Sequence, residues 1–116
     1  MSQYPIQQVQ NELELLLQNP MPVALRLEMV LQLALIYKEE GAINHLQKLL
    51  WDETYPLFCD ANKVTFTVDE AYWLGRCLLT LAQNTADKNT VQQIYKLIMD
   101  AQLPIAPLVK QFVENE

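Results

Sequence analysis

The residues best suited to binding chemistry are crowded into one segment, WDETYPLFCDANKVTFTVDEAYW, residues 51–73. It holds five carboxylates against one lysine, which is −4 of the chain's net charge of −6, and six of its ten aromatic residues. Aromatic rings offer apolar contact area and a face for cation–π interactions. Carboxylates attract a cationic partner electrostatically and accept charge-assisted hydrogen bonds from it. We therefore expect a surface that captures a basic protein. Its predicted residues are Trp51, Asp52, Glu53, Tyr55, Asp60, Asp69, Glu70 and Trp73.

The same residues also fit an ordinary surface and core. Asp52 and Glu53 suit solvated helix positions, and an acidic pair at 69–70 suits a first helical turn, where the helix dipole favours negative charge. Trp51 and Trp73 could belong to the core. The sequence leaves both interpretations open.

Catalysis is not expected. His45 is the only histidine, and Cys59 and Cys77 lie 18 residues apart with no further cysteine, so neither a zinc site nor an activated thiol is predicted. Two glycines cannot build a phosphate-binding loop. Carboxylates adjacent on a helix point about 100° apart, so each acidic pair is a poor acid–base couple. An enzyme whose carboxylates meet only in the fold is the remaining catalytic alternative. We predict that the protein is not an enzyme and that it binds neither a metal nor a cofactor.

The composition is that of one globular domain, residues 1–116. Of the 116 residues, 51% are hydrophobic and 19% charged. The run VLQLALIY is far shorter than the roughly 20 apolar residues of a membrane span. The first residues resemble no secretion signal, so we expect a cytoplasmic protein with free thiols. A net charge of −6 argues against nucleic acid and fits a basic protein partner.

Prolines and apolar spacing divide the chain into about six helices. The first three helices are expected over 5–18, 23–40 and 42–54. The fourth is expected to begin at the capping box formed by Thr67 and Glu70 and to end at about 83. The fifth is expected over 88–101 and the last after Pro107. Pro56 is expected to end the third helix. Residues 62–68 alternate like a strand, but an extended loop pinned by Phe66 is favoured. In the first helix, the residues predicted to face inward are Ile6, Val9, Leu13, Leu16 and Leu17.

The second helix is apolar around most of its circumference, which is typical of a helix buried on several sides. Gly41 suits a left-handed cap at its end. Together the patterns predict an all-α antiparallel bundle. The step Tyr37-x-x-x-Gly41 looks like one tetratricopeptide-type hairpin, but the rest of that pattern is missing, and ordinary helical hairpins are favoured.

Two resemblances bear on function. Residues 52–56, Asp-Glu-Thr-Tyr-Pro, are similar to the Asp…Tyr-Pro element that nuclease-colicin immunity proteins use, on a short helix, to bind their toxin. Those proteins are also small, acidic and all-helical, although they have two tyrosines before the proline where this chain has one. The run Trp51-x-Glu53-x-x-Pro56, with Asp69-Glu70-x-x-Trp73-Leu74, looks like a pattern of small bacterial proteins without an assigned function, which implies a bacterial source.

Two binding hypotheses follow. The first is an immunity or antitoxin-like protein that neutralises a basic toxin, such as a nuclease, through the acidic and aromatic segment. The alternative is a helical-hairpin adaptor or chaperone that holds a partner helix in a groove lined by apolar residues of the central helices. Added salt should weaken the first kind of binding and leave the second almost unchanged.

Overall fold

The computed structural model describes residues 6–59 and 65–114. Six helices occupy these ranges: α1 (Ile6–Leu16), α2 (Val23–Glu39), α3 (Ile43–Cys59), α4 (Val68–Gln83), α5 (Lys88–Asp100) and α6 (Ala106–Glu114). They pack as one bundle without a strand in the described ranges, so the predicted all-α fold is confirmed. Within those ranges, no helix has both the length and the apolarity to cross a membrane.

Helix α2 is the centre of the bundle, as its apolar circumference predicts. It packs against α1, α3 and α4. Its buried residues are Leu27, Val30, Leu31, Leu33, Ala34 and Tyr37. The burial is not complete, because Leu25 and Leu35 remain exposed on the side that meets no other helix.

A glycine turn reverses the chain between α2 and α3. Gly41 has a φ of +76°, the left-handed conformation that favours glycine. The Ala42 N–H donates to the Tyr37 carbonyl at 2.8 Å, and the Gly41 N–H donates to the Lys38 carbonyl at 3.1 Å. These two bonds form a Schellman motif, so the predicted cap at Gly41 is confirmed.

Helix α3 does not end at Pro56, and that prediction is wrong. The helix continues through Pro56 to Cys59. A proline inside a helix removes one N–H bond, here to the carbonyl of the exposed residue Asp52, where water can replace it. Leu57 and Phe58 pack against the core and hold the last turn in place. Tertiary packing therefore outweighs the local cost of the proline.

The connection between α3 and α4 is described only in part. Residues 65–67 have no regular structure, while the strand-like residues 62–64 lie outside the described ranges. Phe66 packs against the core and meets Phe58 in a T-shaped contact, with ring centroids 5.8 Å apart. That contact agrees with the expectation of a segment pinned by Phe66.

Helix α4 begins with the predicted capping box. The Glu70 N–H donates to Thr67 Oγ1 at 3.1 Å, and the Thr67 N–H donates to Glu70 Oε1 at 2.9 Å. Further along, Gly75 allows the connection between α5 and α6 to lie close against α4. A Cβ atom at Gly75 would stand 3.2 Å from Cγ2 of Ile105.

The first helix matches its predicted inward face with one exception. Leu13 of α1 and Leu17, which directly follows α1, are buried against the core. Leu16 was expected to face inward but is 49% exposed, because α2 is the only one of the described helices that α1 packs against, so α1 buries a narrow stripe. The Ile6 side chain lies outside the described part of the structure.

Candidate partner-binding surfaces

The first acidic pair is divided between a structural and a surface role. Glu53 accepts two hydrogen bonds from the Arg26 guanidinium, from Nε at 2.7 Å and from Nη2 at 3.0 Å. Arg26 Nη1 also donates to the Leu17 carbonyl at 2.8 Å. The bonds to Glu53 raise the pKa of Arg26. Glu53 therefore ties α3 to α2 and to the end of α1, whereas its neighbour Asp52 is exposed and bonds Lys48 at 3.0 Å.

The second acidic pair is divided in the same way. Glu70 is engaged in the capping box that opens α4, as described above. Asp69 is exposed in the first turn of that helix, where the dipole favours a negative charge. In each pair the second carboxylate holds the fold and the first faces solvent.

The predicted residues do not form one continuous surface. Trp51 lines a concavity together with Leu81 and Thr85, near the end of α4. Asp69 lies at the start of α4, and the twelve residues from there to Leu81 span about 18 Å of helix axis. Asp60 lies outside the described residues. The expected single acidic face is therefore two separate surfaces, one on α3 and one on α4.

The first surface lies on the exposed stripe of α3. The rings of Trp51 and Tyr55 stack, with centroids 4.9 Å apart and an interplanar angle of 14°. Trp51 is half-buried and Tyr55 is 42% exposed. Asp52 shares this stripe, one helical turn before Tyr55. We call Trp51, Asp52, Tyr55 and the neighbouring Asp87 the α3 surface.

Asp87 joins this surface from the start of α5. It lines a concavity of about 450 Å³ with Trp51, Gln47 and Thr90. Its side chain caps α5, accepting hydrogen bonds from Thr90 Oγ1 at 2.6 Å and from the Thr90 N–H at 3.3 Å. These bonds lower the pKa of Asp87, which keeps the carboxylate ionised near neutral pH.

Asp87 was not among the predicted site residues. The sequence places Asp87 in the connection between the helix predicted to end at about 83 and the helix predicted to begin at 88, and nothing local connects it to Trp51 far upstream. The spacing Asp87-x-x-Thr90 before an apolar helix is a recognisable N-cap signal. That signal places the carboxylate at the start of α5 but does not reveal which ring it meets.

The second surface centres on a cation. Tyr72 and Trp73 of α4 meet edge to face, with centroids 5.0 Å apart and an angle of 84°. The Arg76 guanidinium lies 5.4 Å from the centroid of Trp73 and 5.7 Å from that of Tyr72. Its Nη1 donates to the Tyr72 hydroxyl at 3.3 Å. We call these three residues the α4 surface.

Arg76 was also missed from the sequence. The preceding segment is mostly acidic, which directed the prediction toward carboxylates and away from this arginine. The sequence Tyr72-Trp73-x-x-Arg76 nevertheless has the i, i+3 and i, i+4 spacing that brings helical side chains together. The predicted anchor Trp73 is half-buried and engages this internal cation.

A groove lined by both apolar and polar residues lies between the ends of α3 and α5. It measures about 560 Å³. Its apolar lining comes mainly from Leu57, Phe58, Phe66, Leu97 and Leu103. The groove adjoins Gln102, which has a φ of +54° and ends α5 in the left-handed conformation. It is the feature closest to the groove expected under the alternative hypothesis.

Features associated with catalysis are sparse over residues 6–59 and 65–114. Those ranges contain no group of three or more His, Cys, Asp or Glu side chains that could hold a metal ion. Both cysteines are free, as predicted, with Cys59 exposed and Cys77 buried. Burial raises the pKa of the Cys77 thiol to about 12, so this group is not a nucleophile at neutral pH.

No protein-family model, curated protein or solved structure matches this chain significantly.

Proposed function

We propose that the chain is a non-catalytic binding protein of the immunity or antitoxin kind, which sequesters a basic protein on the α3 surface. Under this proposal it acts in the bacterial cytoplasm on a toxin, such as a nuclease. The observation that carries the proposal is the stacked Trp51–Tyr55 pair with Asp52 beside it and Asp87 across the same concavity.

The chemistry of this arrangement suits a lysine or arginine side chain. Tyr55 covers one face of the Trp51 ring and fixes its orientation, so little side-chain entropy is lost on binding. A cationic side chain of the partner would be attracted both by the quadrupole of the aromatic ring and by the negative charge of Asp87. Asp87 is held by Thr90 before the partner arrives, which makes its carboxylate preorganised.

The net charge of the chain also favours a basic partner. At −6 the chain attracts basic proteins from a distance, which raises association rates at low ionic strength. The bond between Lys48 and Asp52 does not remove this attraction, because both groups are exposed and such pairs are worth at most about 1 kcal/mol. A partner's arginine can therefore replace Lys48.

The test removes negative charges from the α3 surface by substitutions that should leave the fold unchanged. Asp52→Asn with Asp87→Asn removes two charges, and asparagine retains the N-cap of α5. A partner captured from host lysate at low salt is purified, and its association rate with each variant is measured by stopped flow. We expect the double variant to associate about tenfold more slowly at low salt, with the difference shrinking as salt rises.

Glu12→Gln with Glu39→Gln is the matched control, because it also removes two exposed charges, from residues that line neither the α3 surface nor the groove between α3 and α5. Its association rate should stay close to that of the unmodified chain. An equal rate for the double variant and the unmodified chain would contradict the proposal. Glu53 is left unchanged throughout, because its loss would disturb the Arg26 bridge and confuse binding with folding.

The groove between α3 and α5 supports a second candidate, an adaptor that holds an amphipathic partner helix. Phe58, Phe66 and Leu97 supply the apolar contacts that such a helix needs. Binding there should persist when salt is raised to about 0.5 M, since it depends on apolar burial. Leu97→Ser should weaken it, whereas the Asp52/Asp87 double variant should bind normally.

A further inference from the structure

The groove beside Arg76 contains a positioned cation and no carboxylate of the described chain. It measures about 440 Å³. Helix α4 supplies Tyr72, Arg76 and Leu79, and the connection between α5 and α6 supplies Pro104 and Ile105. A cationic end next to an apolar wall is a pattern that fits a ligand with both characters.

The guanidinium is well prepared to receive an anion. The rings of Tyr72 and Trp73 restrict its orientation, so less entropy is lost when a ligand binds. Within the described part of the chain, one of its five N–H groups is engaged in a hydrogen bond, the one to the Tyr72 hydroxyl. That hydroxyl accepts the bond, so its own proton can point toward a ligand oxygen. Guanidinium and phenol together offer the donors that a planar carboxylate needs.

The apolar wall is built by a glycine. Because Gly75 has no side chain, Ile105 can approach α4 closely, and it would be displaced by a Cβ atom 3.2 Å away. Leu103 is buried beneath this connection and anchors it. The wall is therefore a fixed part of the fold, and it lines the same groove as Arg76.

Thr80 and Gln83 add polar groups suited to a peptide. Thr80 Oγ1 donates its proton to the Arg76 carbonyl at 2.8 Å, which leaves its lone pairs able to accept an amide N–H. Gln83 lines the same groove with a carboxamide that can donate and accept. A simple fatty acid has no amide to match these groups, whereas a polypeptide terminus does.

We infer that this groove binds the carboxyl terminus of a polypeptide that ends in an apolar residue. The terminal carboxylate meets Arg76 and the Tyr72 hydroxyl, the apolar side chain covers Ile105 and Leu79, and the last amide N–H reaches Thr80. This second site is independent of the α3 surface and of the function proposed for it.

The test compares four small probes on a Trp51→Phe protein, in which Trp73 is the only tryptophan. N-acetyl-leucine carries the carboxylate, the apolar side chain and the amide. N-acetyl-leucinamide lacks the carboxylate, hexanoate lacks the amide, and acetate lacks both the amide and the apolar side chain. Binding is followed by Trp73 emission and by the NMR signal of the Arg76 Nε–H group.

We expect N-acetyl-leucine to bind about tenfold more tightly than the amide, because a charge-assisted pair is lost without the carboxylate. Acetate and hexanoate should also bind more weakly. Arg76→Gln should weaken N-acetyl-leucine about tenfold, and Arg76→Lys should not restore it, since lysine cannot form the planar fork. Lys96→Gln, which removes an exposed charge on α5, should change nothing.

Equal binding of acid and amide, or an unchanged affinity in Arg76→Gln, would overturn the site. Tighter binding of hexanoate than of N-acetyl-leucine would overturn the assignment to a polypeptide terminus. Arg76 and Lys96 are both exposed, so their variants should fold normally, which circular dichroism verifies.

Discussion

The α3 and α4 surfaces contain similar residues but should prefer opposite ligands. Each has an aromatic pair close to an acidic pair, and in each acidic pair one carboxylate holds the fold while the other is exposed. On α3 the two rings stack on each other, and Trp51 lines a concavity together with Asp87. On α4 the rings already hold Arg76. A cation from within the chain therefore decides whether an aromatic cluster suits a cationic or an anionic partner.

The largest expected difference between the two helices is in thiol reactivity. Cys59 is exposed on the open stripe of α3, while burial raises the pKa of Cys77 on α4 from an ordinary 9.0 to about 12. This shift alone reduces the thiolate fraction about a thousandfold at neutral pH. A chromogenic disulfide reagent should modify one thiol quickly in the folded protein and two in denaturant. Rapid modification of two thiols without denaturant would show that α4 is not packed as described.

The next effect separates the two carboxylates of the first acidic pair. Glu53→Ala should lower the free energy of unfolding by about 2 kcal/mol, because it leaves a partly buried Arg26 without its partner. Asp52→Ala should cost less than about 0.5 kcal/mol, since its ion pair is exposed. Urea denaturation measures both. Similar losses for the two variants would remove the distinction between structural and surface acids.

The start of α4 should show a smaller contrast, between the capping residue Thr67 and the exposed carboxylate Asp69. Thr67→Ala removes the capping side chain of α4 and should destabilise the protein by about 1 kcal/mol. Asp69→Asn loses only the interaction with the helix dipole, about 0.3–0.5 kcal/mol. Thermal unfolding with both variants provides the comparison. A larger effect for Asp69 than for Thr67 would mean that the capping box does not hold the start of α4.

The smallest effect concerns the pH dependence contributed by Asp87. Its pKa is lowered in the folded protein by the bonds from Thr90, so the folded state favours the ionised form. The resulting stability is present above the unfolded pKa of about 4 and is lost as the pH falls through the lower folded value. Asp87→Asn should keep the cap and flatten stability between about pH 5 and pH 3. Titrations with identical slopes for both proteins would contradict this assignment.

The fold was largely predictable because its signals are local. Apolar spacing, the capping box at Thr67 and the glycine at 41 each act within a few residues, and the structure confirms them. The predicted end of α3 at Pro56 was wrong because the packing of Leu57 and Phe58 against the core is a tertiary effect. The surfaces were less predictable for the same reason. The Arg26–Glu53 bridge, the meeting of Trp51 with Asp87 and the contact of Ile105 with Gly75 all join distant parts of the chain.

The opposite preferences of the two surfaces can be tested in one crossed titration. Trp73→Phe leaves Trp51 as the reporter of the α3 surface, and Trp51→Phe leaves Trp73 as the reporter of the α4 surface. Each protein is titrated with an arginine-rich peptide and with N-acetyl-leucine. We predict that the peptide changes the emission of Trp51 alone and that N-acetyl-leucine changes the emission of Trp73 alone. The same response of both tryptophans to either ligand would contradict the account.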